Sequence, residues 1–298
     1  MSNLEFGFWH SFGIWILAFD ISLDPLPLWP FIYGGIAMVD NAEVKRFLKD
    51  VSNRFEKFCS SYNPKGNVEK RSWDISLGHL DVTTFRGEVF EKASSIYCDL
   101  TIDTPPVLAE KLGQKGSKAL AQVLEMNLYP VNPFIPRGYI ELRTNRTDKI
   151  VLAGGTDILP YFPKEDEITF FGKGIEEVCK RHGKNYEELR KIRIDFFKSK
   201  YRKGKVGSHA GIYSFHLEES DFPFFQDLAE AFFKLYGAIV EKRKSERFTD
   251  KEIEEKLKIQ GLWAEWIMVE DDGTKFGLEK GIPPEALLGA ILPPKAVF

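Results

Sequence analysis

Apolar positions along this chain alternate between two periods, and the changes of period mark its elements. Val44, Phe47, Leu48, Val51, Phe55 and Phe58 recur at helical spacing, which predicts an amphipathic helix over 42–59. A Gly-, Asn- and Ser-containing connection follows over 60–82, then strand character over 96–102. The prolines at 105 and 106 lead into a helix or loop over 107–121. Two further strands are expected over 123–128 and 138–145, on either side of a bend carrying Pro130, Pro133 and Pro136. Arg146-Thr-Asp then joins the second of these to a strand over 149–153, as a hairpin with a slightly long loop. The middle of the chain turns helical. One helix over 173–182 stops at Gly183, and a second starts from Asn185 with Glu188 as a capping pair and runs to about residue 201. A short strand over 208–217, a long helix over 224–244 and a helix capped by Thr249 and Glu252 up to 259 complete this part.

The closing segment reads as a strand over 262–269, an acidic tight turn ending in Gly273, a short strand through Leu278 and a Pro-opened helical turn. Hairpins and helical excursions without a βαβ rhythm predict an α+β fold, with a large, mostly antiparallel sheet flanked by helices on both sides.

Composition changes this picture little. With 298 residues, 43% hydrophobic content and 25 Phe, the chain has material for a sizeable core. A formal net charge of −3 gives no general attraction to nucleic acid or to an anionic membrane. Cys59, Cys98 and Cys179 are odd in number, far apart and without C-x-x-C spacing, so they are expected to be reduced, buried side chains of a cytoplasmic protein. Phe6 to Phe19 is an apolar run of 14 residues, short of the ~20 that a spanning helix needs. No Lys or Arg precedes Lys45, so a secretory leader is not expected. Residues 1–37 are read as an apolar extension and 38–298 as a single domain.

Five segments, in order, carry a resemblance. They are Gly87-Glu-Val-Phe-Glu-Lys-Ala, Leu128-Tyr-Pro-Val-Asn-Pro-Phe-Ile-Pro, Ala153-Gly-Gly-Thr-Asp-Ile-Leu-Pro-Tyr, Tyr236-Gly-Ala-Ile-Val-Glu-Lys-Arg-Lys and the closing run from Gly261 to Pro294. Each resembles a signature of the oxygen-dependent coproporphyrinogen III oxidases. The resemblance implies an α+β fold, usually a homodimer, and a reaction of heme (porphyrin) biosynthesis that needs no metal or cofactor beyond dioxygen. In that reaction two propionate side chains of a porphyrinogen are oxidatively decarboxylated to vinyl groups. The protein supplies orientation, a base and cationic clamps.

Strand alternation puts Tyr139, Glu141 and Arg143 on one face, where the resemblance implies His, Asn and Arg at the substrate. Arg143 is the retained anion anchor and Tyr139 a hydrogen-bonding or proton-transfer group. Glu141 beside Arg143 reads equally as an ion pair on an exposed strand. In the closing turn Asp271 keeps the carboxylate expected to meet ring N–H groups, while Asp272 stands in place of an arginine; an acidic pair before glycine is also common turn chemistry. Gly281 is kept, but Pro283 replaces the clamp arginine that follows. Asp157 reads as a substrate contact or as a buried cap, and Glu265 as sharing parity with Asp271. Further on, Phe215 and His216 replace paired acids. His79, His209 and His216 lack metal-ligand spacing, so no metal site is expected.

Two arginines lost and two carboxylates gained leave the cleft about four charge units more negative, which disfavours a tetracarboxylate at ~1 kcal/mol per close contact. The expected function is a cofactor-independent, oxygen-dependent oxidase acting on a less anionic ring substrate. Authentic coproporphyrinogen III oxidase and a non-catalytic tetrapyrrole-binding homologue are the alternatives. A small-molecule ring substrate and a homodimer partner are expected, with no nucleic acid and no stable membrane span.

Overall fold

The computed structural model describes residues 39–103, 118–202 and 209–298. Expectations for residues 1–37, and for 107–117 of the segment after the paired prolines, lie outside the described residues. Seven strands form one sheet: β1 (Asn67–Ile75), β2 (Gly78–Arg86), β3 (Phe90–Asp103), β4 (Lys118–Pro130), β5 (Arg137–Arg146), β6 (Ile150–Leu159) and β7 (Ile212–Leu217). Their order in space is their order in sequence, and every neighbour is antiparallel.

The connection expected over 60–82 is corrected by this sheet, because it contains β1 and the start of β2. β1 reads Asn-Val-Glu-Lys-Arg-Ser-Trp-Asp-Ile and is exposed over most of its length. An edge strand with charge on both faces has no apolar alternation to detect, and that charge also discourages pairing with another chain. Residues 118–121 belong to β4 rather than to a helix or loop. β6 runs on through Gly154 and Gly155 to Leu159, past the exit expected near Asp157. Gly154 has φ +136°, and a Cβ there would lie 2.1 Å from the Glu141 carbonyl oxygen, so this position of the sheet admits only glycine.

Helices cover both faces. On one lie α1 (Asn41–Tyr62), α2 (Glu165–Arg181) and α4 (Phe222–Arg243). Their stripes Val44, Leu48, Val51 and Phe55, and Phe225, Leu228, Phe232 and Ile239, pack with Leu124, Met126, Leu128, Ile140 and Leu142 of β4 and β5. Each such side chain fully buried contributes roughly 1.5–3 kcal/mol. A second core lies on the opposite face, built by α5 (Asp250–Val269) and α7 (Pro284–Ile291). Here Trp263, Trp266, Ile267, Ala286, Ala290 and Ile291 meet Leu80, Val82, Ile96, Tyr129 and Tyr139. The short α3 (Tyr186–Phe196) bridges the two cores, sending Leu189 to the first and Phe196 to the second.

The closing hairpin is the largest correction. Residues 250–269 are one continuous helix, followed by α6 (Asp272–Glu279) and α7. Gln260, Trp263, Ala264 and Ile267 are buried at helical spacing. The Thr249–Glu252 capping box does form, and the helix it opens runs ten residues beyond the expected end at 259. Asp271 starts a helix instead of turning a hairpin.

Three sheet side chains of β3 and β4 hold the end of α7: Lys92 donates to the Leu292 carbonyl at 2.6 Å, Ser94 to Ala290 at 2.5 Å and Tyr129 to Ile291 at 2.5 Å. These satisfy carbonyls that a helix C-terminus leaves open, and so fix α7 on the sheet. Among the described residues no helix is long and apolar enough to cross a membrane.

Candidate functional site

The face of the sheet under α5–α7 carries the odd-numbered side chains of β4 and β5. Near Tyr129 and Tyr139 it is sealed by the second core, whereas Val123, Glu125 and Arg143 stay partly open to solvent. Register places Asn127 opposite Tyr139, Glu125 opposite Glu141 and Val123 opposite Arg143. The expected alternation on β5 therefore holds, and the half-covered rows form a polar stretch of this face.

Glu141 is its hub. Its Oε2 accepts the Tyr139 hydroxyl at 2.6 Å and the Tyr213 hydroxyl of β7 at 3.1 Å, and its Oε1 takes the Arg143 guanidinium. The side chain of Glu141 is 6% exposed and that of Arg143 37%, so the arginine is the member that meets solvent. The Glu141 charge raises the Arg143 pKa, and burial followed by that same charge raises those of Tyr139 and Tyr213 well above 10. Both phenols are therefore hydrogen-bond donors at neutral pH. The pairing of Glu141 with Arg143 is real but not an exposed-strand feature, because its acid is buried.

Glu125 was not singled out from sequence. Its carboxyl is pushed up to about 7, first by burial, then by Glu141 opposite and by Asp271, against the Asn127 side-chain amide that donates to it at 2.8 Å. Cys98 of β3 lies beside these acids and is raised to about 12, mainly by burial. All three cysteines are buried and free, as expected. The one signal for Glu125 was an acid inside the largely apolar run from Val123 to Leu128, which holds one other polar residue, Asn127.

The remaining predicted residues sit in different settings. Asp271 is near enough to act on Glu125, but its carboxylate caps α6, accepting Thr274 N at 2.9 Å, Thr274 Oγ1 at 2.5 Å and Gly273 N at 3.4 Å. Asp272 is exposed and 3.5 Å from Lys275. Glu265 holds Arg202 through two contacts of 2.6 Å on an exposed side of α5, and the shared parity expected with Asp271 disappears with the strand. Gly281, at φ +86°, turns the chain between α6 and α7. Asp157 is fully enclosed: Arg193 reaches its Oδ2 at 3.2 Å, while Ile158 N and Ala210 N donate to Oδ1. Arg193 in turn lies 4.4 Å above the Tyr139 ring and steadies it. Among the described residues no group of three or more His, Cys, Asp and Glu is placed to hold a metal ion. His79 instead sits between Asp74 and Asp81, and His216 against Glu218.

Residues 43–298 match the family described as coproporphyrinogen III oxidase. The chain belongs to the coproporphyrinogen III oxidase family. Among similar proteins is the oxygen-dependent coproporphyrinogen-III oxidase of Rickettsia bellii, 31% identical over 76% of this chain and 84% of that protein. The protein of the same name from Francisella philomiragia is 28% identical over 71% and 72%. That from Coxiella burnetii is 26% identical over 86% and 87%. The match to the family takes in every strand described and all seven described helices, from the first turn of α1 onward. In this chain Tyr139, Glu141 and Arg143 share one face of β5, with Glu125 of β4 opposite Glu141.

Proposed function

We propose that this protein is an oxygen-dependent oxidase of the coproporphyrinogen oxidase type, acting in the half-covered cleft on a ring substrate less anionic than coproporphyrinogen. Membership of the family and the names of its relatives support the reaction type. The observation that carries the change of substrate is the charge of the cleft. Glu125, Glu141 and Asp271 bear on one region; of the described guanidiniums near it, Arg143 already faces Glu141 and Arg193 is buried against Asp157. A second or third substrate carboxylate would meet acids instead of a clamp, at a cost of ~1 kcal/mol for each screened contact.

In this reading Arg143, the solvent-reaching cation, anchors one carboxylate of the substrate. Tyr139, whose hydroxyl donates to Glu141 and whose ring packs against Arg193, positions the Glu141 carboxylate beside Arg143. For each side chain oxidised, the bond to the carboxylate carbon breaks with loss of carbon dioxide. A C–H bond on the neighbouring carbon breaks, a C=C bond forms, and two electrons reduce dioxygen to the peroxide level. The protein's part is orientation and proton handling. A cytoplasmic homodimer belongs to the same reading, and light scattering of the purified chain tests its assembly.

The deciding experiment incubates the purified protein aerobically with coproporphyrinogen III, following oxygen uptake and resolving the porphyrins formed. Little oxygen uptake and weak binding are expected. Enzymic formation of protoporphyrin would overturn the altered substrate and make the chain an authentic coproporphyrinogen III oxidase. Tight binding without turnover would replace the oxidase by a tetrapyrrole-binding protein. With whichever ring substrate is turned over, Arg143→Ala should abolish activity; persistence of activity would move the site elsewhere.

A further inference from the structure

Glu125 and Glu141 are directly paired across β4 and β5. Side chains at such positions have Cβ atoms about 4.5–5.5 Å apart and lie on the same face. Two carboxylates held this close share a proton more readily than both ionise.

The surroundings distinguish the two members. Glu141 is pinned, its Oε1 by Arg143 and its Oε2 by Tyr139 and Tyr213. An acceptor of three donors is suited to the ionised form, which has no proton to place. Glu125 has one oxygen held by the Asn127 amide and remains partly open to solvent. Around it stand Cys98 from β3, Tyr129 from its own strand, Tyr139, Glu141 and Arg143 from β5 and Asp271 at the start of α6. Of the three acids, Asp271 spends its oxygens on the α6 cap. Glu125 is thus the one placed to meet a ligand.

We propose that Glu125 and Glu141 act as one carboxyl pair holding a single proton, with Glu125 as the catalytic member that exchanges a proton with an N–H group of the bound substrate. This rests on the cleft assigned above as the site of chemistry. When Glu125 accepts the proton, the N–H bond breaks, an O–H bond forms on its carboxylate, and the electron pair stays on the ring nitrogen. When it donates, the same atoms move in reverse. Glu141 keeps its charge throughout and holds Tyr139 and Arg143 in place. The ligand class that fits is a ring or amine with N–H donors, whose proton the ionised Glu125 carboxylate can accept and its protonated form can return. The position of Glu125's carboxyl near neutrality agrees with this role.

The test needs no turnover. Infrared difference titration of the whole chain, from about pH 5 to about pH 9, follows the C=O stretch of protonated carboxyls. Wild type should show a signal that disappears with a midpoint near 7 and is missing from Glu125→Gln. In Glu141→Gln the midpoint should fall by at least about one pH unit, because the opposing charge is gone. If Glu125→Gln fails to fold cooperatively, the Glu141→Gln shift alone decides. Absence of the signal, its survival in Glu125→Gln or an unmoved midpoint in Glu141→Gln would overturn the pair, whatever the enzyme turns over. Pyrrole, a neutral ring N–H donor, should shift the wild-type signal at saturation; no shift would remove the exchange role. Failure of every ring substrate to consume oxygen would sink the oxidase while leaving the infrared result intact.

Discussion

Replacing Arg193 by Met removes one half of the most deeply enclosed ion pair in the described structure. Arg193 and Asp157 both have fully buried side chains, with Nε 3.2 Å from Oδ2. At an effective dielectric constant near 20 that separation corresponds to about 5 kcal/mol of attraction. The guanidinium also lies 3.9 Å over the Phe197 ring and 4.4 Å over that of Tyr139, worth roughly another 1–2 kcal/mol when desolvated. Much of this offsets the cost of taking both ions out of water, so the pair is a poor source of net stability. Breaking it is different, because Asp157 would remain as a buried anion with only the Ile158 and Ala210 N–H groups for support. Arg193→Met should therefore cost about 3–5 kcal/mol. Urea unfolding followed by circular dichroism measures it, provided the slope with denaturant is unchanged. Asp157→Asn combined with Arg193→Met keeps the side-chain oxygen as an acceptor and removes the stranded charge, so the double variant should regain at least about 2 kcal/mol over the single one. A loss below about 1 kcal/mol in Arg193→Met, or no recovery in the double variant, would refute the dependence of the buried Asp157 carboxylate on Arg193.

Other positions give equally direct tests. A Cβ at Gly155 would lie 1.9 Å from the Ile212 carbonyl oxygen, so Gly155→Ala should force β6 and β7 apart and cost more than about 3 kcal/mol; an unchanged urea midpoint would contradict this. Thr249→Ala removes the hydroxyl of the capping box that starts α5 and should lower stability by about 1 kcal/mol in thermal or urea unfolding. Lys92 is pushed down from 10.5 to about 7, by burial and then by Arg86. Between those values the unfolded chain binds the proton and the folded one does not, so stability relative to Lys92→Met should rise with pH across that window, by at most about 1.4 kcal/mol per pH unit, and be flat below it. Urea midpoints of both proteins at about pH 6, 8 and 10 check the slope, and parallel curves would refute it.

Sheet and helices were legible in proportion to how one-sided their burial is. α1 and α4 present clear apolar stripes to a single core, and β5 alternates cleanly, so the grouping of Tyr139, Glu141 and Arg143 on one face could be read from spacing alone. β1 was invisible because an edge strand exposed on both sides has no alternation to show. α5 was misread past residue 259 because Leu-Trp-Ala-Glu-Trp-Ile-Met-Val has strand-like composition and Asp-Asp-Gly follows it. Tertiary contacts override that local preference: Trp263, Trp266 and Ile267 reach the second core only from a helix, and Gly261 lies mid-helix where a Cβ would come 2.0 Å from the Val297 carbonyl oxygen. The position of Glu125 opposite Glu141 required the register of two strands separated by a proline-rich bend, which no local pattern supplies.

The correction at the C-terminus also changes what the retained signature means. As a hairpin turn, Asp271 would present a free carboxylate toward the cleft, and its retention would argue for contact with a ligand. As the N-cap of α6, the same residue has a structural reason to persist: with Gly273 and Thr274 it satisfies backbone N–H groups that open the helix, and α6 leads through Gly281 to α7 and the second core. Resemblance in this segment therefore argues first for the fold. What it still contributes to the chemistry is a fixed negative charge near Glu125, which favours the protonated form of that carboxyl. Asp271 and Gly281 shape the helices above the sheet, while Glu125, Tyr139 and Glu141 lie on the sheet face beneath them.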